Sequence, residues 1–499
     1  MIEGITLGIG AAFSSYNILM VMIGCFAGTI IGTLPGLGPM SAIALMIPIT
    51  YGFDPATGLI LMAGVYYGAV FGGSTSSILL NAPGVPGTVA TSFDGYPMAQ
   101  QGKAGKALAI AAWSSFAGGT LSAIYLLFMA PSLSKVSLSF RSPDYFALMI
   151  LGLTAIAAFS SKGQFLKAMM MVVLGLMLAS IGQDSLSDIS RFTFGNMNLS
   201  DGISFVLIVM ATFAMSEALT IIFRGKDPNR AAKQISLTEL GSIKVNKEET
   251  IKMAKTIPRS SILGFLIGVL PGAGATIASF LAYGMERNYV SDEEKEKFGK
   301  GSVHGLSAPE TANNAACSGS FVPLLTLGIP GSGTTAVMLG ALLGFGIQPG
   351  PRLYQTNPEI FWSVIMSMYI GMVVLLILNL PLIPYIARIL AVPRNFLIPL
   401  ILFFSLTGVY LMSFNNFDIY MMIGIAVVAT ILRLYNFPMP PLILAFVLGG
   451  LMEENLRRSL LISGGSFNFL WDRPLTLIIL LVTAAIVIWQ IYSSFRKKS

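Results

Sequence analysis

Apolar residues fill this chain in long blocks of two kinds. Nearly unbroken runs fall at 145–161, 165–182, 202–223, 360–387, 395–413, 418–434 and 474–494, close to the roughly 20 residues that a helix needs to cross hydrocarbon. A second set, at 16–50, 55–91, 104–130, 257–285 and 312–350, is as apolar but is interrupted by glycine, proline, serine and threonine. Irregular backbone is tolerated at membrane depth only inside protein or beside a water-filled cavity. The second set therefore predicts broken helices or re-entrant hairpins in the interior of an all-α polytopic membrane protein with about 10–14 membrane segments.

Composition agrees with this class. The 499 residues are 54% hydrophobic and 11% charged, and no charged side chain lies between Glu3 and Asp54 or between Asp54 and Asp94. That is too little charge to cover a soluble protein of this size, whereas lipid accepts it. Residues 4–23 lack a basic leader and run straight into the first interrupted tract, so they read as structure and not as a cleaved signal. Cys25, Cys317 and the single histidine, His304, form no zinc or haem ligand set; a metal held by oxygen atoms stays open.

Charge sets the orientation. The 224–258 segment carries Arg224, Lys226, Arg230, Lys233, Lys244, Lys247, Lys252 and Lys255, and the chain ends Arg496-Lys497-Lys498. Both are placed in the cytoplasm by the excess of Lys and Arg near span ends. Interspersed acids and the lack of aromatic interleaving make the loop a topology determinant and not a nucleic-acid surface. The 183–201 loop, with Asp184, Asp188 and Asp201 against Arg191, suits the outer face.

The chain also repeats itself. Gly32-Thr-Leu-Pro-Gly-Leu-Gly-Pro39 returns as Gly268-Val-Leu-Pro-Gly-Ala-Gly-Ala275, a displacement of 236 from Gly36 to Gly272. Asn81-Ala-Pro-Gly-Val-Pro-Gly-Thr88 can be laid on Leu325-Thr-Leu-Gly-Ile-Pro-Gly-Ser332, a displacement of 244 from Gly87 to Gly331. The expected organisation is a first repeat over 1–223, a basic cytoplasmic linker over 224–258, a second repeat over 259–473, and a final helix with a basic tail over 474–499. Nothing holds the uncharged N-terminus inside, so it is expected outside and the halves inverted. The interrupted tracts read as a transport unit sliding, elevator-like, against a scaffold of unbroken spans.

Matched breaks in two halves point to the binding site of a secondary transporter, with an anion channel and a non-transporting scaffold as the competing readings. The candidates are Pro35, Gly36 and Gly38, and Pro271, Gly272 and Gly274. Proline and glycine here free backbone N–H groups, and helices starting just after the breaks aim their positive ends at a carboxylate. Polar clusters in uncharged tracts add Ser74, Thr75, Ser76 and Asn81; Pro86, Gly87 and Thr88; Asn313, Asn314 and Ser318; and Pro330, Gly331, Ser332, Gly333, Thr334 and Thr335. Each of these polar groups either satisfies neighbouring backbone or faces ligand or ion, because burial unpaired is costly. Glu310 is read either as an interfacial residue paired to a base or as a coupling or gating acid. No Lys or Arg lies inside the motif tracts, so an anion would be held by amides, hydroxyls and a co-bound cation. Both Na+ and H+ stay open, and the scarcity of deep carboxylates favours Na+.

Taken together, Gly32–Pro39, Asn81–Gly87, Gly268–Gly274, Tyr283-Gly-Met-Glu-Arg287, Pro309-Glu-Thr-Ala-Asn-Asn314 and Leu327–Thr334 resemble the large membrane subunit of the tripartite tricarboxylate transporters. The resemblance covers essentially the whole chain. It implies a bacterial inner-membrane permease, not an enzyme, that imports citrate or related carboxylates with an ion gradient. It also implies two partners, a small transmembrane subunit and a periplasmic solute-binding protein, and no organic cofactor. The lack of a Gly-x-x-x-x-Gly-Lys-Ser/Thr loop independently agrees with transport without ATP hydrolysis.

Overall fold

The computed structural model describes residues 2–34, 37–158, 164–184, 189–224, 240–272, 274–382, 384–385 and 394–496. Pro35 and Gly36, and residues 225–239 of the basic linker, lie outside them. The first half contains helices α1 (Ile2–Ala12), α2 (Ser15–Thr33), α3 (Gly38–Thr50), α4 (Pro55–Leu80), α5 (Val89–Gln100), α6 (Ala104–Ser137), α7 (Ser142–Ala158) and α8 (Phe165–Ala179). A rod of α9 (Phe205–Val209), a π-helical turn at Met210–Met215 and α10 (Ser216–Arg224) follows. The second half contains α11 (Lys247–Val269), α12 (Gly274–Tyr289), α13 (Asp292–Lys295), α14 (Val303–Gly319), α15 (Phe321–Leu327), α16 (Gly333–Gly344) and α17 (Leu353–Thr356). After these come α18 (Pro358–Asn379), α19 (Arg394–Ser413), α20 (Asn416–Leu434), α21 (Pro440–Ile462) and α22 (Pro474–Arg496).

Among the described residues, six helices are long and apolar enough to cross a membrane: Ser15–Thr33, Pro55–Leu80, Ala104–Val136, Phe205–Phe223, Pro358–Asn379 and Asn416–Leu434. Shorter apolar helices supplement them. Large apolar side chains such as Leu19, Met22 and Phe26 on α2 point outward, while the opposite face of α2 is small and buried. This is the reverse of a soluble amphipathic helix and is what lipid around the bundle requires.

Two tracts expected to be broken are partly continuous. The 104–130 tract is a single helix of 34 residues. Its glycines serve contact and not bending: Gly118 lies against the Thr311 backbone and Gly119 against Met372. The 55–91 tract is an unbroken 26-residue helix up to Asn81, where a left-handed residue (φ 51°) ends it. Only 81–88 is irregular.

Local signals explain several helix starts. Asp54 caps α4 by accepting from the Ala56 and Thr57 N–H groups, with Pro55 at the first helical position. Asn246 and Glu249 form a capping box at α11, and Ser332 and Thr335 form another at α16.

Helices α2 and α3 form one hairpin, and α11 and α12, joined through Pro271 and Gly272, form another. In the first, α2 and α3 share a base where Thr57 Oγ1 donates to Asn17 Oδ1 at 2.7 Å and the Tyr16 and Phe53 rings meet edge to face. In the second, α11 and α12 share a base where Arg259 and Thr256 donate to Glu286 at 2.7 and 2.8 Å. Helix α4 starts at the first base and ends with Ile78 and Leu79 packed among Met253 and Leu306 beside the second. The two hairpins therefore enter the bundle from opposite ends of α4.

The same close contacts occur in both hairpins. A methyl group on Gly28 or Gly32 would overlap the α4 backbone at Val65 or Ala69, and one on Gly264 or Gly268 would overlap the α14 backbone at Ala312 or Ala316. Likewise Gly84 abuts the Gly32 carbonyl and Gly331 abuts the Gly268 carbonyl. These contacts fix the register of the second motif pair. Gly84, not Gly87, corresponds to Gly331, a displacement of 247, and left-handed Asn81 corresponds to left-handed Gly328. The expected pairing of Gly87 with Gly331 is thus three residues out of step, because Pro-Gly occurs twice within Asn81–Gly87.

Candidate functional site

The site grows from the hairpin tips. Gly38 and Gly274 open α3 and α12 with φ of 65° and 63°, a conformation that costs other residues about 1–2 kcal/mol. Gly272, also left-handed, donates its N–H to the Gly331 carbonyl at 3.1 Å and lies against the Ala155–Ile156 backbone. Pro271 reaches the same surface near Gly152. Gly333 packs against Met40 and Pro440, which brings the start of α16 beside the start of α3. The irregular 86–88 turn packs in the same way on α12. The four breaks that the described residues show in part or whole thus converge inside the bundle.

Two polar walls line this meeting point. One comes from α4, where Tyr66 and Tyr67 stack with ring centroids 5.9 Å apart and with Phe321 beside both. Tyr66 Oη lies 3.4 Å from Ser332 Oγ, and Tyr67 Oη donates to Ser318 Oγ at 3.3 Å. The other wall comes from α14. Asn313 is fully buried, and neither its Nδ2 nor its Oδ1 has a partner among the described residues. A methyl group on Gly87 would strike Asn313 Oδ1, so the amide faces the bare backbone of the 86–88 turn. Asn314 donates through Nδ2 to the Glu310 carbonyl at 3.0 Å, and its Oδ1 is also unpartnered.

Below this wall lies Glu310, fully buried. Its Oε2 accepts from Ser74 Oγ at 2.7 Å and from Ser115 Oγ at 2.8 Å, and its Oε1 accepts from Thr91 Oγ1. All its side-chain partners among the described residues are hydroxyls. The reading of Glu310 as an interfacial acid paired to a base is therefore set aside. A buried carboxylate held by neutral donors alone is costly, which makes Glu310 a candidate functional residue.

Other candidates do local work. Ser76 and Thr88 donate to the Gly73 carbonyl, and Ser332 and Thr335 cap α16 while their side chains stay buried. Asn81 and Pro86 are exposed away from the buried polar walls, and Pro330 is buried in the turn behind Gly331. Thr75 is buried one position after Ser74, and Thr334 is buried beside Thr335.

The residues that the sequence reading passed over are Tyr66, Tyr67, Thr91, Ser115 and Asn379. A signal for the tyrosines existed. At the displacement of 247 Tyr66 and Tyr67 correspond to Asn313 and Asn314, a correspondence concealed by the displacement of 244. Thr91 and Ser115 sit among ordinary helical residues, and only the fold brings them to Glu310. No group of three or more His, Cys, Asp or Glu side chains able to hold a metal occurs among the described residues.

Broken hairpins around a buried, polar, uncharged-walled centre define a polytopic membrane transport protein. Comparison with known proteins gives the family: the pattern of the tripartite tricarboxylate transporter TctA family matches residues 18–444, and the chain belongs to that family. It is a multi-pass inner-membrane transporter protein and not an enzyme. An uncharacterised 52.8 kDa protein in the TAR-I ttuC' 3' region of Agrobacterium vitis is 41% identical over 498 residues, covering 100% of this chain and 98% of that protein. An uncharacterised protein in the TAR-II ttuC' 3' region of the same organism is 41% identical over 235 residues, 47% of this chain and 96% of that protein. No solved structure matches.

Proposed function

We propose that the chain is the large permease subunit of a binding-protein-dependent, cation-coupled secondary importer of tricarboxylates or related small carboxylates. The observation that carries this reading is Asn313: a fully buried amide with no partner among the described residues, facing a glycine backbone where the broken helices meet. Leaving such a group unpaired costs about 1–3 kcal/mol, a cost a ligand would remove. Its Nδ2 donates to a carboxylate oxygen, and the amides at the starts of α3 and α12 favour the same charge. Tyr66 Oη and the hydroxyls of Ser318 and Ser332 add polar contacts across the site.

Alternating access follows from the arrangement of the hairpins. Units spanning 1–223 and 259–473 act as inverted repeats joined by the 224–258 linker, with 474–499 as a C-terminal anchor. The paired glycine contacts at displacements of 236 and 247 support this division. The hairpins move as a transport unit against the unbroken spans, with the N-terminus outside and the C-terminus inside. A small transmembrane subunit packs on the bundle, and a periplasmic solute-binding protein delivers the anion to the outer mouth. Entry of the anion is coupled to Na+ or H+, with Na+ favoured by the all-oxygen surroundings of Glu310.

The test is uptake of labelled citrate and related carboxylates into proteoliposomes containing the chain, its small subunit and the binding protein. Concentrative uptake that collapses when the cation gradients are removed is the expected result. Uptake indifferent to every cation gradient would instead indicate a channel, and no flux with the complete assembly would indicate a scaffold.

A further inference from the structure

We infer that this protein binds a single Na+ ion in the small cavity between α4, α6 and the end of α18, beside Glu310; this assignment rests on the transport reading above. The cavity, about 10 Å3, is lined by Ser74, Thr75, Ser115 and Asn379 among apolar side chains of α4 and α6. Its volume is about that of one water-sized sphere, the scale of one small ion.

The chemistry of the wall selects a cation. Ser74 and Ser115 each have one hydroxyl proton, and both protons are directed to Glu310 Oε2. With those protons committed, the two hydroxyl oxygens have only lone pairs to turn toward the cavity. Asn379 is a second, independent indication. Its Nδ2 is occupied by the Leu375 carbonyl at 2.9 Å, whereas its Oδ1 is buried and has no partner among the described residues. The side chain that lines the cavity thus offers an acceptor and no donor.

Ser74, Ser115 and Asn379, each with an oxygen acceptor, line one small space together with Thr75, and a carboxylate stands directly behind the two serines. A neutral donor would satisfy Asn379 but leave an ionised Glu310 uncompensated, and a proton on Glu310 would remove its charge but leave Asn379 Oδ1 unpartnered. A hard monovalent cation satisfies both, because oxygen ligands suit it and attraction to the carboxylate is strong in a poorly polarisable interior. Ser74 and Glu310 lie on α4 and α14, the helices that hold the two hairpin tips through their glycine contacts. Occupancy of the site therefore ties the two hairpin units together, which is what coupling of ion to carboxylate requires.

The test uses the full-length chain purified in detergent, with thermal unfolding measured in NaCl, KCl or N-methylglucamine chloride at constant ionic strength. The expected result is stabilisation by Na+ alone, saturating with concentration, that is lost in Asn379→Leu and Glu310→Gln. Asn379→Asp, which keeps the acceptor oxygen and adds charge, should retain the response and guards against misreading a misfolded leucine variant. In proteoliposomes, Asn379→Asp should keep Na+-dependent uptake, and Asn379→Leu should raise the half-saturating Na+ at least about tenfold, the equivalent of about 1.4 kcal/mol. Equal stabilisation by all three salts, or an unchanged Na+ response in Asn379→Leu, would overturn the site. Carboxylate uptake driven by a pH gradient without any Na+ response would overturn it while leaving the transport reading intact. Na+ stabilisation without uptake by the complete assembly would do the opposite.

Discussion

Replacing Asn313 by leucine separates stability from function. The amide is fully buried, and both of its polar atoms lack partners among the described residues. Leucine has the same branching and the same number of side-chain heavy atoms but no polar atom, so it removes an unsatisfied burial worth about 1–3 kcal/mol. The ligand-free protein should accordingly unfold at a higher temperature. Binding should move the other way, since loss of one hydrogen bond to a charged carboxylate costs about 1.5–3 kcal/mol, or about 10- to 150-fold in affinity. Gly87→Ala approaches the same point from the opposite wall: its methyl group would overlap Asn313 Oδ1 and displace the amide. The assay is thermal unfolding in detergent paired with carboxylate uptake into proteoliposomes. A destabilised Asn313→Leu would show that the amide is satisfied in the resting protein. Unchanged half-saturation by the substrate would remove Asn313 from the site, and either result refutes the argument.

Three further outcomes follow from the geometry. Gly38→Ala meets no atom within 4 Å, so its effect should come from backbone strain alone, about 1–2 kcal/mol, and Gly274→Ala should match it because Ser332 Cβ is 4.0 Å away; a larger loss in either, by thermal unfolding, would reveal a contact formed in another state. Asp94 accepts from the N–H groups of Gly299, Gly301 and Ser302 at 2.7–2.9 Å and from Tyr283 Oη at 3.0 Å. Asp94→Ala should therefore cost at least about 3 kcal/mol and expose 299–302 to protease, while Asp94→Asn keeps the accepting oxygen and should cost about 1 kcal/mol. At the polar start of α11 the hydrogen bond from Lys252 holds the exposed Glu248 carboxyl below its ordinary range, while at Glu294 burial acts upward and is outweighed by the pairs with Lys297 and Lys252. A depressed carboxyl contributes stability that is present above its unfolded pKa and is lost as pH falls through its folded pKa. Protection of the amides at 292–297, taken relative to the intrinsic exchange rate at each pH, should thus be highest at neutral pH and fall below the ordinary carboxylate range, and a protection factor that does not change with pH would show that the pairs contribute nothing.

The amount of this fold legible in the sequence depended on the kind of signal. The helix starts after the breaks were legible because proline and left-handed glycine act locally, and α3 and α12 begin at Gly38 and Gly274, just after the Pro-Gly pairs. Glycine within a span was ambiguous: Gly118 and Gly119 resemble a break but serve helix contact, and only their neighbours on α14 and α18 distinguish the two uses. Register failed where a short motif repeated itself within seven residues. The Glu310 cluster was half legible, since Ser74 lies in a conspicuous polar run, whereas Thr91 and Ser115 reach the carboxylate from 219 and 195 positions away. Asn379 closes a helix of lipid-like composition, and nothing around it in the chain distinguishes it from an interfacial cap.

Under the proposed inverted-repeat reading, the paired walls bear on the symmetry between loading and unloading. The backbone contacts of the two hairpins correspond position for position, yet Tyr66 and Tyr67 stand on one helix where Asn313 and Asn314 stand on the other. An exchange of conformations between two such halves does not regenerate the same binding surface. The opening formed on one side is framed by aromatic faces with hydroxyl tips, and its mirror by bare amides. If the halves exchange conformations as proposed, a carboxylate would be held with unequal strength at the two openings, and the rates of loading and unloading would differ while the gradients set the net direction.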